Sequence, residues 1–447
     1  MLARLFQSVA HMALAIVLFG QLAFSATQYY FGTENPSLPF WIILFVTSAV
    51  ILTTDIKKVR ILKEDIFLLL AVVVLATSFI LFGKSEYYSF YYHLVFFVCL
   101  PYVFGRIVGR YTSLTLFSTF LAILILSLIL IGFELARQPS LFWETDRLRL
   151  FVLTTGGDPT AFYISAVFGS GFLVALTTLI SGVYWTRVSK LSESIFLGSI
   201  ASISFLTLLL FGSRGGILAA LLSAVLMTFL VRRGRSILFR LTLIVTLLAT
   251  LVVAFQVMPL ERKELVRQFS NTAMTIAQKD SKASSVKSPS NLSTTDGNEV
   301  DCLQTGNSLT ARLRMLSEAW RLIEASPWWG VGASNYGHEY CGAEGDLVSP
   351  HSSLAQILVE LGILGSLIWY ALFASVAWRV FAAILTSRNF DPTTARPYLA
   401  IFLFFFIQSQ FSGNIYYDYQ MFMVMGLLVS ALQAQGAAFR TNLLNRL

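Results

Sequence analysis

The chain is 447 residues long, 56% of its residues are hydrophobic, only 13% are charged, and its mean hydropathy is +0.71. A globule of this composition would not stay in solution, so the values exclude a soluble domain and predict a polytopic membrane protein. The formal charge of +8 does not predict nucleic-acid binding, because no soluble basic face exists to present it.

Apolar runs long enough to cross a bilayer as helices recur along the whole chain. They predict twelve spans, near residues 8–27, 38–54, 66–82, 90–105, 113–134, 158–181, 194–212, 215–231, 237–257, 352–378, 397–412 and 416–435. The predicted fold is therefore an all-α polytopic membrane protein. Residues 1–257 would hold spans one to nine, residues 258–350 one large loop, and residues 351–447 spans ten to twelve.

Lysine and arginine predict the orientation. With the N-terminus in the cytoplasm, the cytoplasmic segments receive 18 of the 32 cations: Arg4, Lys57, Lys58, Arg60, Lys63, Arg106, Arg110, Arg187, Lys190, Arg232, Arg233, Arg235, Arg240, Arg379, Arg388, Arg396, Arg440 and Arg446. The short loops on the other side hold only Lys84, Arg137, Arg147, Arg149 and Arg214. By the positive-inside rule, both termini are then cytoplasmic and the large loop is extracytoplasmic.

Composition divides this loop into three parts. Residues 259–270 predict a short surface helix, and residues 278–301 are polar enough to predict disorder. From about 308 to 325, apolar residues recur at helical spacing and predict an amphipathic helix whose stripe must pack on something. The stripe consists of Leu309, Leu313, Leu316, Trp320 and Ile323.

The arginines of this predicted helix fall on two different faces. Arg314, Glu318 and Arg321 fall opposite the stripe, where Arg314 and Glu318 have the spacing of an ion pair. Arg312 lies at the edge of the stripe, roughly 60° from its centre. We therefore expect its guanidinium where the helix meets the membrane domain, either gripping an anionic ligand or only packing there.

Two of the three cysteines, Cys302 and Cys341, fall in the loop. In an oxidising compartment they are candidates for a disulfide, which would tie the end of the polar insert to the segment before His351. We predict no metal site, because no set of histidines and cysteines has ligand spacing.

Several short motifs stand in a fixed order: Ser213-Arg214-Gly215-Gly216, Thr310-Ala311-Arg312, Ser326-Pro327-Trp328-Trp329-Gly330-Val331-Gly332, His351, and Val359-Glu360-Leu361-Gly362-Ile363-Leu364-Gly365. This ordered set resembles the O-antigen ligase and polysaccharide polymerase superfamily. The segment from Arg149 to Thr160 is similar to the family's segment before the sixth span. Ser352 stands where the family usually has asparagine.

The resemblance implies a GT-C-like membrane fold and a metal-independent, cofactor-free, inverting glycan transferase. Its donor would be a glycan linked to undecaprenyl diphosphate, and its acceptor a hydroxyl at the periplasmic face of the inner membrane. Arg214 and Arg312 would bind the diphosphate as permanently charged forks. His351 would deprotonate the acceptor.

Each role has a structural alternative. His351 could be a polar residue at a helix start, with His338 as a second candidate base, and Arg214 could snorkel at a membrane hairpin. Arg149, Ser352 and Glu360 are candidates for substrate binding, although Glu360 could equally be a paired structural group. The other two candidates, Trp328 and Trp329, could stack on sugars or pack the turn against the membrane domain.

The acceptor stays open. A ligase would pass the finished glycan to lipid A-core, a polymerase would pass a growing chain to the next lipid-linked repeat unit, and a protein O-glycosylating enzyme ranks third. A lipid-linked glycan flippase or transporter is the alternative from another class. That class needs charges along a central cavity and inverted repeats, which this sequence does not display.

Overall fold

The computed structural model describes residues 2–32, 35–55, 60–83, 91, 93–109, 114–138, 160–181, 190–230, 308–341, 348–386 and 395–444. Every regular element in these ranges is helical. The α-helices are α1 (Leu2–Phe19), α2 (Gln21–Phe31), α3 (Leu38–Asp55), α4 (Lys63–Phe82), α5 (Leu100–Val108), α6 (Leu114–Arg137), α7 (Thr160–Ile164), α8 (Ser170–Ser181), α9 (Lys190–Phe211), α10 (Arg214–Leu230), α11 (Ser308–Ala325), α12 (Tyr336–Cys341), α13 (Ser353–Thr386), α14 (Ala395–Ser412) and α15 (Tyr419–Leu444). Single π-helical segments, Leu94–Cys99 and Ser165–Gly169, run into α5 and join α7 to α8.

Five helical stretches of the described chain are long and apolar enough to cross a membrane: Lys63–Phe82, Leu116–Arg137, Ala161–Ile180, Ser192–Phe211 and Ser353–Ile384. The pair α1 and α2, bent by 75° at Gly20, makes a sixth if it is one broken span. Helices occupy every predicted span that lies within the described residues. The span at 237–257, the predicted surface helix at 259–270 and the polar insert at 278–301 lie outside them, so the count of twelve stays a prediction.

Glycine allows one very close helix crossing, between α5 and α15. A methyl group added at Gly105 would lie 2.1 Å from the Met423 carbonyl oxygen, and one at Gly426 would lie 2.2 Å from that of Tyr102. Small residues let helix backbones approach in this way where van der Waals packing drives association in a membrane. The crossing holds α15 against the middle of the bundle and so fixes the chain segment that precedes it.

Two ion pairs join helices at one end of the bundle, which we call the opposite end. Arg106 on α5 forms a bidentate pair with Asp65 on α4, at 2.8 and 3.0 Å. Arg379 on α13 pairs in the same way with Glu64, at 2.9 and 2.7 Å. Adjacent carboxylates on α4 therefore bind two different helices. At the other end, which we call the site end, α4, α9 and α14 finish while α10 and α15 begin.

Candidate functional site

The last turn of α14 is a meeting point at the site end. The side-chain carbonyl of Gln410 accepts hydrogen bonds from the Leu354 amide and the Ser352 hydroxyl, both at 3.2 Å. The next carbonyl, that of Phe411, accepts a hydrogen bond from the Arg312 guanidinium at 2.8 Å. The segment that follows His351 and the helix that carries Arg312 are therefore fixed to adjacent residues.

The Ser-Arg-Gly-Gly motif reaches the same corner. Ser213 caps α10, because its hydroxyl accepts the Gly216 amide at 3.0 Å. A methyl group added at Gly215 would lie 2.9 Å from the Ser412 hydroxyl and 3.0 Å from the Phe411 side chain. Glycine therefore lets the start of α10 pack directly on the end of α14. Arg214 is the first residue of α10, and its side chain is outside what the structure describes.

His351 occupies a left-handed backbone conformation, with φ at 55°, immediately before the cap of α13. Such a conformation costs about 1–3 kcal/mol for a residue other than glycine and persists only where its surroundings enforce it. Here Ser352 accepts the Ala355 amide at 3.3 Å and donates to Gln410. Burial, and then the positive charge of Arg312, lower the pKa of His351 from its usual value. Its imidazole is therefore neutral at pH 7.

Asp418 is a carboxyl group that the sequence did not single out. Its Oδ2 accepts a hydrogen bond of 2.5 Å from Ser353, the first residue of α13. Gly413 lies beside the same hydroxyl, since a methyl group there would be 2.7 Å from it. The loop between α14 and α15 thus holds the start of α13.

The tryptophan-glycine turn inserts into a break in α13. The helix is interrupted at Gly362, with φ at 61° and ψ at −171°. On the near side of the break, the amides of Val331 and Gly332 donate to the carbonyls of Val359 and Glu360, each at 2.9 Å. Beyond the break, the turn accepts hydrogen bonds instead of donating them. The amides of Ile363 and Leu364 donate to the Pro327 and Trp328 carbonyls at 2.8 and 3.3 Å. Backbone groups freed by the break are therefore satisfied by the turn.

Glu360 adds side-chain hydrogen bonds to this junction between the turn and α13. Its carboxylate accepts hydrogen bonds from the Tyr416 hydroxyl, the Ser334 amide at 3.0 Å and the Gln356 side chain at 3.3 Å. The side chain is 2% exposed. It therefore joins the turn, α13 and the loop that holds Asp418, which is the pairing that the structural alternative describes. Its contact with substrate remains a prediction.

The rings of Trp328 and Trp329 are both exposed. The turn contacts α13 through its backbone, and the exposed rings do not fill that contact as the packing alternative would require. Their contact with sugars remains a prediction. Glu318 pairs with Arg321, at 2.5 Å, instead of with Arg314 as the spacing had also allowed.

Besides the side chain of Arg214, three candidates cannot be placed. Arg149 and Cys302 lie outside the described residues, and the side chain of Cys341 does as well. The substrate contact of Arg149 and the disulfide remain predictions. Within the described ranges, no group of three or more histidine, cysteine, aspartate or glutamate side chains is arranged to hold a metal ion.

Residues 199–370 match the family model described as O-antigen ligase. This range contains Arg214, Arg312, His351 and the helix break. Gln410 and Asp418 lie beyond its end. No curated protein matches the chain.

Proposed function

We propose that this chain, which carries the O-antigen ligase-related domain over residues 199–370, transfers a glycan from an undecaprenyl-diphosphate carrier to an acceptor hydroxyl at the membrane surface. The proposed activity is that of an O-antigen ligase with lipid A-core as the acceptor. The predicted orientation places the site end on the periplasmic side of a bacterial inner membrane, with both termini in the cytoplasm.

One observation carries the proposal. The three motif segments that begin α10, α11 and α13 are far apart in sequence, yet all three contact the stretch from Gln410 to Gly413. Two of these segments carry an arginine and the third carries a histidine, and they meet at one corner at the end of membrane helices. The arginines would provide positive charge for a diphosphate, and the histidine would provide a base for a hydroxyl.

The leaving group needs positive charge. When the bond between the anomeric carbon and the phosphate oxygen breaks, its electron pair leaves with the lipid diphosphate. Arg312 would stabilise that charge, and its hydrogen bond to the Phe411 carbonyl fixes the guanidinium at this corner. Arg214 would act beside it. Guanidinium groups stay protonated at every relevant pH and bind phosphate oxygens as forks.

The acceptor needs a base. A neutral His351 would take the proton from the acceptor hydroxyl as the oxygen forms its bond to the anomeric carbon from the face opposite the leaving group, which inverts the configuration. The low pKa of this histidine keeps it ready to accept a proton at pH 7. Ser352, Ser353 and Asp418 hold the helix start that positions it.

The test is complementation of a strain that lacks this chain, with the wild type, His351→Ala or His338→Ala at equal membrane abundance. General base catalysis contributes about 100-fold to 10,000-fold. We therefore expect His351→Ala to remove at least 99% of the surface glycan and His338→Ala to leave it unchanged. His338 is the matched control because it belongs to the same extramembrane segment, on α12.

The glycan that accumulates on the carrier lipid in the His351→Ala strain identifies the acceptor. Loss of long chains from lipid A-core, with finished polymer accumulating on the carrier, supports the ligase. Accumulation of single lipid-linked repeat units would replace it with the polymerase. Normal glycan with His351→Ala would overturn the assignment of the base.

A further inference from the structure

Helix α11 has three faces of different chemistry. At about 100° per residue, Met315, Ala319 and Leu322 share an arc of about 60°, and this arc is buried. Ala319 and Leu322 pack with Tyr336 and Val359, and the Tyr336 hydroxyl donates to the Met315 carbonyl at 2.7 Å. This face accounts for the docking of α11 on the rest of the protein.

A second arc of similar width is apolar but exposed. Leu313, Leu316 and Trp320 are 40%, 47% and 61% exposed. They belong to the stripe that the sequence predicted to pack, yet the described part of the chain leaves them exposed. The third arc is polar and exposed, and contains Arg314, Ser317 and Arg321. A helix with one face on protein, one apolar face and one charged face has the composition of a helix lying in a membrane interface.

The depth of α11 follows from its neighbours. The 20 residues of α4 make a helix about 30 Å long, which equals the thickness of the hydrocarbon core. Near its site end, Ser78 accepts the Ala333 amide at 3.1 Å, and the Phe82 carbonyl accepts the Asn335 side chain at 2.6 Å. The turn that directly follows α11 is therefore level with the end of a full-length span.

The exposed apolar surface also continues from the span to the turn. Beyond the break in α13, the side chains of Leu364 and Leu367 are exposed. Apolar side chains that face lipid are exposed in this way. The Leu364 amide donates to the Trp328 carbonyl, so the exposed rings of Trp328 and Trp329 come next, and α11 with Trp320 precedes them in the chain. Tryptophan is enriched at this level of a bilayer.

We propose that α11 lies in the plane of the membrane surface at the site end, with Leu313, Leu316 and Trp320 inserted at the boundary between headgroups and acyl chains. Arg314 and Arg321 then face water or headgroup phosphates. Arg312 lies one turn before Leu316, so insertion of this face sets the height of the arginine that contacts Phe411.

The test is fluorescence quenching by phosphatidylcholine that carries bromine near the glycerol end or near the methyl end of an acyl chain. The full-length protein is reconstituted in vesicles, and the signal of Trp320 is the difference between wild type and Trp320→Phe. We expect the shallow bromines to quench this difference at least twofold more than the deep ones. Trp369, fully enclosed in the core, and Trp378, exposed on α13, serve as the unquenched and quenched references.

A second pair of variants guards against local rearrangement. In the Trp320→Phe background, Leu316→Trp places the fluorophore on the exposed apolar arc, and Ser317→Trp places it on the polar arc one residue further. We expect bromolipid to quench the first and not the second. If bromolipid quenches neither the tryptophan at 316 nor the one at 320, the proposal is overturned. Quenching by acrylamide would then mean that the face is in water, and protection from acrylamide that protein covers it.

Discussion

Arg312 acts on Phe411 and on His351 in different ways. The Phe411 carbonyl fixes its guanidinium at the end of α14, and its charge acts on His351. A positive charge disfavours a second positive charge nearby, so Arg312 adds to the effect of burial in lowering the pKa of the histidine. One residue would therefore serve the leaving group directly and keep the base in its active form.

This dual role predicts a shift in pH dependence. In the proposed reaction the neutral form of His351 is the base, so activity would be lost as the pH falls through the pKa of this residue. With Arg312→Gln the histidine pKa rises toward its ordinary value of about 6.5, and the acidic limb of the pH–rate profile moves to higher pH. Arg312→Lys keeps the charge and should leave the limb in place, even though both variants are slower. The measurement is transfer rate against pH for the three proteins, and coincident limbs would contradict the electrostatic link.

At this scale the sequence predicts part of the site. The position of Arg312 at the edge of the apolar stripe indicates a side chain directed at the membrane domain, and the contact with Phe411 agrees. Gln410 and Asp418 carry no comparable signal. Their partners, Leu354 and Ser353, lie more than fifty residues away, and helical periodicity describes only neighbours within the same helix.

At the scale of the elements, the break in α13 is the main feature that an apolar run conceals. Residues 352–378 predict one continuous span, because Gly362 and Gly365 differ in no way that hydropathy detects. Only Gly362 has a positive φ. The sequence also does not predict what covers the apolar arc of α11, because residue spacing identifies an apolar face but does not distinguish protein from lipid as its partner.

We expect Gly362→Ala to destabilise the protein. A methyl group there would lie 2.4 Å from the Trp328 carbonyl, and the left-handed backbone adds strain of about 1–3 kcal/mol. Gly198→Ala on α9 is the matched control, because no atom lies within 4 Å of the added methyl. It should be neutral or stabilising by up to about 1 kcal/mol. Thermal unfolding in detergent measures both, and equal midpoints would show that the turn does not depend on the break.

At the scale of the whole molecule, the described helices lie where hydropathy predicts them, but the way they pair does not follow from hydropathy. The arginines counted for the predicted orientation include Arg106 and Arg379. In the structure both are neutralised by neighbouring carboxylates on α4. Charge counting does not predict such pairs, because either arginine could have faced a headgroup instead.

Removing one partner of the α4–α13 pair should be costly. Glu64 is fully buried, so Arg379→Met leaves a buried carboxylate without its cation, for which the expected loss is about 3–5 kcal/mol. The double variant Glu64→Gln with Arg379→Met should regain most of this stability. Arg321→Met breaks an exposed pair and should change stability by at most about 1 kcal/mol. A double variant no more stable than Arg379→Met alone would refute the electrostatic explanation.

Helix α4 links this pair to the site, since Glu64 binds Arg379 near one end and Phe82 binds Asn335 at the other. The distance between the two contacts is fixed by a rigid helix, whereas the hydrocarbon thickness of a membrane varies with its lipids. A span that is too short or too long for its bilayer tilts or deforms the lipid around it. In longer-chain lipids the corner formed by Gln410 to Gly413 would be drawn below the headgroups, and in shorter-chain lipids it would rise above them. Turnover in reconstituted vesicles should therefore peak at one acyl-chain length.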